Sequence, residues 1–107
     1  MSAVRSSRDI IIQTQDILAA RAFYEGVLGF PVFKDEPNRI GLETGSLRLF
    51  VQKREAFGPT LDFLTDDFDG LKARLLAAGC RLDQDDPALP RCYFTDPFGL
   101  SFNIGRL

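Results

Sequence analysis

Near the end of the chain the stretch "LSFNIG", residues 100–105, sets Ser101 and Asn103 two apart in an otherwise apolar run. Side chains alternate between the faces of an extended strand, so this spacing puts a hydroxyl and an amide on one face. There they either look into a cavity or hydrogen-bond their neighbours and buried water. The available chemistry is bounded by an omission: the sequence has no histidine. That removes the usual proton shuttle near neutral pH, the Ser-His and Cys-His nucleophile pairs and every imidazole metal site. A metal could bind only through oxygen or sulfur. The two cysteines, Cys80 and Cys92, are too few for a secreted disulfide framework. They could face each other across a hairpin centred near Asp86, although two free thiols are expected.

The elements that must position these groups follow from composition and pattern. At 107 residues the chain reads as a single domain, 1–107, able to bury one core without staples. With 45% hydrophobic and 26% charged residues it has the make-up of an ordinary soluble globular protein. Thirteen basic and 15 acidic residues are interspersed to a net charge of −2, so the basic stripe that phosphate contacts need is missing and nucleic acid is not an expected partner. No apolar run approaches the ~18 residues of a membrane span, and no signal-peptide core follows "MSAVRSSR". The expected location is therefore cytoplasmic, with no membrane partner.

"RDIIIQTQ" (8–15) reads as a β-branched strand, and Asp16 can cap the helix that follows. In "ILAARAFYEGVL" the spacing sets Leu18, Ala22, Phe23 and Val27 near one side, with Gly29 as the stop. After "GFPVFKDEPN", strands near Arg39–Glu43 and Ser46–Gln52 join through "ETGS", completing a βαβββ module over 8–53. "KREAFGP" is the linker. The pattern then restarts over 60–107. "TLDFLTDD" is a strand, Asp67 a cap, and "DGLKARLLAAG" a helix with Leu71, Leu75 and Ala78 on one side and Gly79 as its stop. "CRLDQ", "RCYFT" and "LSFNIG" supply three further strands, the last two joined by the type I turn Asp96-Pro97-Phe98-Gly99. Matching Asp16 with Asp67 and Gly29 with Gly79 gives a repeat of roughly 50 residues. The fold class is α+β, two βαβββ modules forming curved mixed sheets around a cleft, a common site for small ligands.

At "QDILAARAFYEGVLGF" and "TDPFGLSFNIG" the chain resembles the vicinal oxygen chelate superfamily of glyoxalase I, the extradiol dioxygenases and the bleomycin-resistance proteins. Asp16, Phe23, Tyr24, Leu28, Gly29, Phe30, Asp96, Pro97 and Gly99 carry the resemblance, which spans essentially the whole chain. Metal-dependent members hold a divalent ion with four side chains, typically two histidines and two glutamates. The resemblance places those positions at Asp9, Arg48, Thr60 and Asn103. A guanidinium stays protonated and has no lone pair to give, so neither a family-type metal site nor a cofactor is expected.

Alternation then extends the inward set to Ile11, Gln13, Phe50, Gln52, Asp62, Leu64 and Ser101. The opposite register, Ile10, Ile12, Leu47, Leu49, Val51, Leu61, Phe63, Phe102 and Ile104, is uniformly apolar and should pack under the helices. The candidate ligand-binding residues are Asp9, Gln13, Arg48, Phe50, Thr60, Asp62, Ser101 and Asn103, with Phe33 and Tyr93 as further aromatic walls; Phe23 and Tyr24 belong to helix packing. Arg48 either closes an ionic cluster with Asp9 or Asp62 or recognises a carboxylate or carbonyl. The resemblance to the metal-free bleomycin-resistance branch implies drug-resistance-like sequestration of a small, partly aromatic organic ligand by a homodimer, with or without exchanged modules. An inward Arg48 departs from the acidic cleft of those drug binders. The alternative is a lyase, isomerase or dioxygenase-type enzyme with Asp9 or Asp62 as base. A third class is a scaffold or regulatory dimer without a ligand.

Overall fold

The computed structural model describes residues 3–86 and 91–107. The chain divides into two compact units, Arg8–Pro59 and Thr60–Leu107, the latter joined by the residues before Arg8. Both follow the order βαβββ, the α+β class expected from the sequence.

In the first unit β1 (Val4–Thr14) leads through a short helix α1 (Ile17–Arg21) and a π-helical segment (Ala22–Val27) to β2 (Val32–Glu36), β3 (Arg39–Glu43) and β4 (Arg48–Lys53). The strand order is β2-β3-β4-β1, with β1 parallel to β4 and the other pairs antiparallel. β1 starts at Val4, four residues before the expected strand, and those residues group with the second unit. Ile40, Leu42, Leu49 and Val51 form the buried core, with Ile10, Ile12, Ile17, Ala20, Tyr24, Phe30 and Val32 packed on it. Each fully buried aliphatic side chain contributes about 1.5–3 kcal/mol.

The packed helical side is not the expected one. Leu18 and Val27 are 80% and 72% exposed, Phe23 and Ala22 are exposed as well, and Ile17, Ala20 and Tyr24 face the core instead. The helix carries two apolar stripes, and both satisfy helical spacing. The wider π turn, in which the Leu28 N–H reaches the Phe23 carbonyl at 3.1 Å, rotates the second half of the segment. Gly29, at φ 78°, then reverses the chain so that the Phe30 N–H meets the Tyr24 carbonyl at 3.0 Å. Phe23 remains at the surface, edge-on to Tyr24 with centroids 5.0 Å apart. Leu47 also departs from expectation: it precedes β4 and is exposed.

In the second unit β5 (Thr60–Thr65), α2 (Phe68–Ala77), β6 (Arg81–Asp86), β7 (Arg91–Thr95) and β8 (Ser101–Arg106) repeat the plan in the order β5-β8-β7-β6, with β5 parallel to β8. Its core is Phe68, Leu71, Cys92, Phe94, Phe102 and Ile104, with Leu61, Phe63, Leu75, Cys80 and Leu82 packed against it. Ala78, expected on the packed side, caps the helix and is exposed.

The repeat extends to the caps. The Asp16 carboxylate accepts from the Ala19 N–H at 2.9 Å and the Asp67 carboxylate from the Gly70 N–H at 3.1 Å. Two residues earlier the Thr14 and Thr65 hydroxyls accept from the N–H groups of Asp16 and Asp67, both at 3.1 Å. Asp96 closes the last turn, its carboxylate accepting from Phe98 and Leu100 N–H, each at 2.9 Å. Both cysteines are free. The ladder sets Cys92 opposite Asp85 rather than Cys80, and the hairpin tip lies outside the described residues. Among the described residues no helix is long and apolar enough to cross a membrane.

Candidate functional site

In each unit the helix covers one sheet face, so the alternate residues of every strand project from the other. On the first unit's helix-free face Asp9 and Arg48 are direct partners of the parallel β1–β4 pair. Arg48 Nε donates to Asp9 Oδ1 at 2.7 Å and Nη2 to Oδ2 at 3.0 Å, a two-pronged clamp. Of the two partners left open from sequence, Arg48 therefore takes Asp9.

The next row is Ile11 beside Phe50, both buried. Phe50 sits under the Arg39 guanidinium, 4.4 Å from the ring centre, with the Arg48 guanidinium at 5.8 Å. Phe33 meets it edge-on at 5.6 Å and 82°. Phe33 reaches this position because the β2–β3 register slips between Val32 and Lys34, a bulge that turns its side chain over Gly41. A Cβ on Gly41 would stand 2.7 Å from Phe33 Cζ, so the ring needs a bare backbone there.

The third row runs Gln13–Gln52–Arg39 across β1, β4 and β3. Gln13 is 8% exposed, and its Oε1 accepts from the Phe57 N–H at 3.1 Å. Its Nε2 is buried with no hydrogen-bond partner among the described residues, and so is Arg39 Nε. Arg39 was absent from the candidates. Its signal lay in "RIGLE", where Ile40 and Leu42 face the core and the residues between them must project oppositely.

On the second unit's helix-free face the ladder pairs Thr60 with Ser101 and Asp62 with Asn103, and sets Tyr93 beside Asn103. Thr60 and Asn103, singled out together by the resemblance, are thus diagonal neighbours; the counterpart of Arg48 in the repeated register is Ser101. Asn103 Nδ2 donates to Asp62 Oδ1 at 2.6 Å. Asn103 is 1% exposed, and its Oδ1 has no partner among the described residues. Thr60 is fully buried and Ser101 half-buried.

These residues do not fit a divalent ion of the family type. Both oxygens of Asp9 are engaged by Arg48, a residue that can only donate, and Thr60, Ser101 and Asn103 offer neutral oxygens. Among the described residues no three His, Cys, Asp or Glu side chains gather as a ligand set. The thiols lie elsewhere, in the second unit's helix-side core. Burial, and then the Asp85 carboxylate that Cys92 contacts at 3.2 Å, push the Cys92 thiol up to about 11. A depression of about 360 Å³ lies on the first unit's helix side, lined by Ile17, Leu18, Arg21 and the β2–β3 turn, and shares no residue with the candidate set.

A family model described as a glyoxalase-like domain matches residues 9–105. A glyoxalase/bleomycin resistance protein/dioxygenase superfamily member from Vibrio splendidus superposes with a TM-score of 0.68 at 18% identity, over 98% of this chain and 100% of that one. The Mn(II)-bound glyoxalase from Novosphingobium aromaticivorans gives 0.68 at 20% identity, over 99% of this chain and 40% of that one. Homoprotocatechuate 2,3-dioxygenase from Brevibacterium fuscum, complexed with 3,4-dihydroxyphenylacetate, gives 0.66 at 23% identity, over 95% of this chain and 36% of that one. No curated protein matches the sequence. At these identities the structural likeness is one of fold.

Proposed function

The chain belongs to the glyoxalase-like domain family, and on that premise we propose that it binds a small, partly aromatic organic ligand without a metal ion. The ligand contacts are drawn from Asp9, Gln13, Arg48 and Phe50 of the first unit and Thr60, Asp62, Ser101 and Asn103 of the second. The observation that supports this reading is the Arg48–Asp9 clamp: it sets a permanent cation at a position that the resemblance matches to a metal ligand of the metal-dependent members, and it occupies the carboxylate beside it. Phe33, 46% exposed and edge-on to the buried Phe50, supports an aromatic ligand, because its ring adds to the apolar area that binding removes from water. The same reading has the chain act as a homodimer, for which Leu18, Phe23, Val27 and Leu28 offer exposed apolar surface. Light scattering during size exclusion would return the mass of a single chain if that part were wrong.

The test is a thermal-shift panel of neutral, anionic and cationic aromatic and heteroaromatic compounds, run on protein whose metal content has been measured. A ligand that binds the native state raises its stability by mass action. At least one stabiliser of metal-free protein is the expected outcome. Stoichiometric Zn, Ni, Mn or Fe in the purified protein, required for the shift, would overturn it. Turnover of a panel compound that Asp62→Asn abolishes would replace it with the enzymatic reading.

A further inference from the structure

Two buried donors on the first unit's helix-free face have no hydrogen-bond partner among the described residues, and they flank the same residue. Gln13 Nε2 and Arg39 Nε lie on either side of Gln52 in one row of the ladder. We infer that this row is the docking point for the carboxylate of a small aromatic or unsaturated organic acid. The inference rests on the binding reading above and assigns that ligand its charge.

The orientation of Gln13 is fixed by its surroundings. Oε1 accepts from the Phe57 N–H, and flipping the amide would set its NH2 against that N–H, so the donor end must point away from the loop. Arg39 is likewise held, its guanidinium over the Phe50 ring at 4.4 Å. Glu36 forms a loose ion pair with Arg39, but at 4.0 Å from Nε its carboxylate is beyond hydrogen-bond reach. Strands two apart are about 10 Å from each other, a span that one carboxylate with a hydrogen bond on each side can bridge between two long side chains.

The sign of the ligand group follows from the atoms left open. Both are donors, so a carboxylate accepts from both, whereas a ligand ammonium could accept from neither and would meet the like charge of Arg39. Arg48 is less suited to this role, because its Nε–Nη2 edge already holds Asp9, whose carboxylate offsets its charge. Arg39 therefore supplies the charge at this end of the face. Ring surface is at hand on Phe33 and Phe57, 46% and 44% exposed, the second being the residue whose N–H orients Gln13.

The test titrates the full chain with benzoate and with benzylamine, following the Gln13 side-chain amide by NMR and affinity by calorimetry. Gln13→Glu keeps the acceptor for Phe57 and removes the donor; Arg39→Met keeps an unbranched stem over Phe50 and removes the charge. We expect benzoate to bind and to shift the Gln13 NH2 signals, and each variant to weaken it about tenfold or more. Benzylamine should bind less well than benzoate to the wild type, with that preference narrowed or reversed in Gln13→Glu. Equal benzoate affinity in the wild type and both variants overturns the assignment, as does a preference of the wild type for benzylamine. Failure of benzoate to bind, as when a water molecule alone satisfies the two donors, overturns it too. A panel that yields only neutral or cationic stabilisers removes this inference and leaves the binding reading intact; a panel silent throughout removes both.

Discussion

Arg48 reaches Asp9 through bonds of 2.7 and 3.0 Å, yet its side chain is 40% exposed and that of Asp9 19%. Solvent at the guanidinium screens the attraction, while the paired geometry strengthens it above a casual surface pair. The balance is about 1 kcal/mol for Arg48→Ala. A double-mutant cycle with Asp9→Ala in urea should return a coupling of about 0.5–1 kcal/mol. A coupling near zero would show that the pair adds nothing to stability. Cys92 illustrates the opposite extreme of exposure. It is fully buried, and its thiol, pushed up to about 11 by burial and then by Asp85, is ionised in about one molecule in a thousand at pH 8. Half-buried Cys80, raised by burial as well, is more accessible. Iodoacetamide on native protein should therefore label Cys80 first and Cys92 only on unfolding, as peptide mass spectrometry would record.

At the scale of elements, the β2–β3 bulge and Gly41 act together. Gly41→Ala drives a Cβ into Phe33 Cζ, and the ring, half exposed, escapes by rotating outward. What is lost is the edge-on pairing with Phe50, so the expected cost in urea denaturation is about 1 kcal/mol. A binding defect larger than the stability defect would mark Phe33 as a ligand wall. The α2–β6 contact makes a prediction in pH. The Lys72 ammonium, and then the Cys92 thiol, hold the Asp85 carboxyl below the usual range. A carboxyl depressed by folding stabilises fully above its unfolded pKa of about 4, and that contribution is lost as pH falls through the folded value. The stability gap between the wild type and Lys72→Met should be present at pH 7 and close on going below pH 4. A gap that stays constant to pH 2 would show that Lys72 acts through packing of its stem alone.

For the whole molecule, the two βαβββ units are legible because each is punctuated in the same way. Asp16 and Asp67 cap, Gly29 and Gly79 stop, and strict alternation separates core from open face. The π turn is not legible, since Leu18-Phe23-Val27 and Ile17-Ala20-Tyr24 are both apolar and only tertiary packing chooses between them. The candidate residues follow from alternation on β1, β4, β5 and β8, but Arg39 needed the same reasoning on β3, whose side chains are interrupted by Gly41. That repeated ladder also gives the last prediction its logic. In one unit the β1–β4 pair presents Asp9 clamped by Arg48, and in the other β5–β8 presents Thr60 with Ser101 and Asp62 with Asn103. Neither pair presents two free carboxylates in register, and a hard divalent ion exchanges its water shell only for several such oxygens. Dialysis against EDTA should leave the Tm unchanged, and millimolar Mn²⁺, Zn²⁺ or Ni²⁺ should not raise it. Arg48→Glu removes the cation and puts a second carboxylate beside Asp9. Their repulsion should lower the Tm without metal, and Mn²⁺ should restore it in a concentration-dependent way. A wild-type Tm that falls with EDTA and recovers with one ion would instead place a metal centre in this chain.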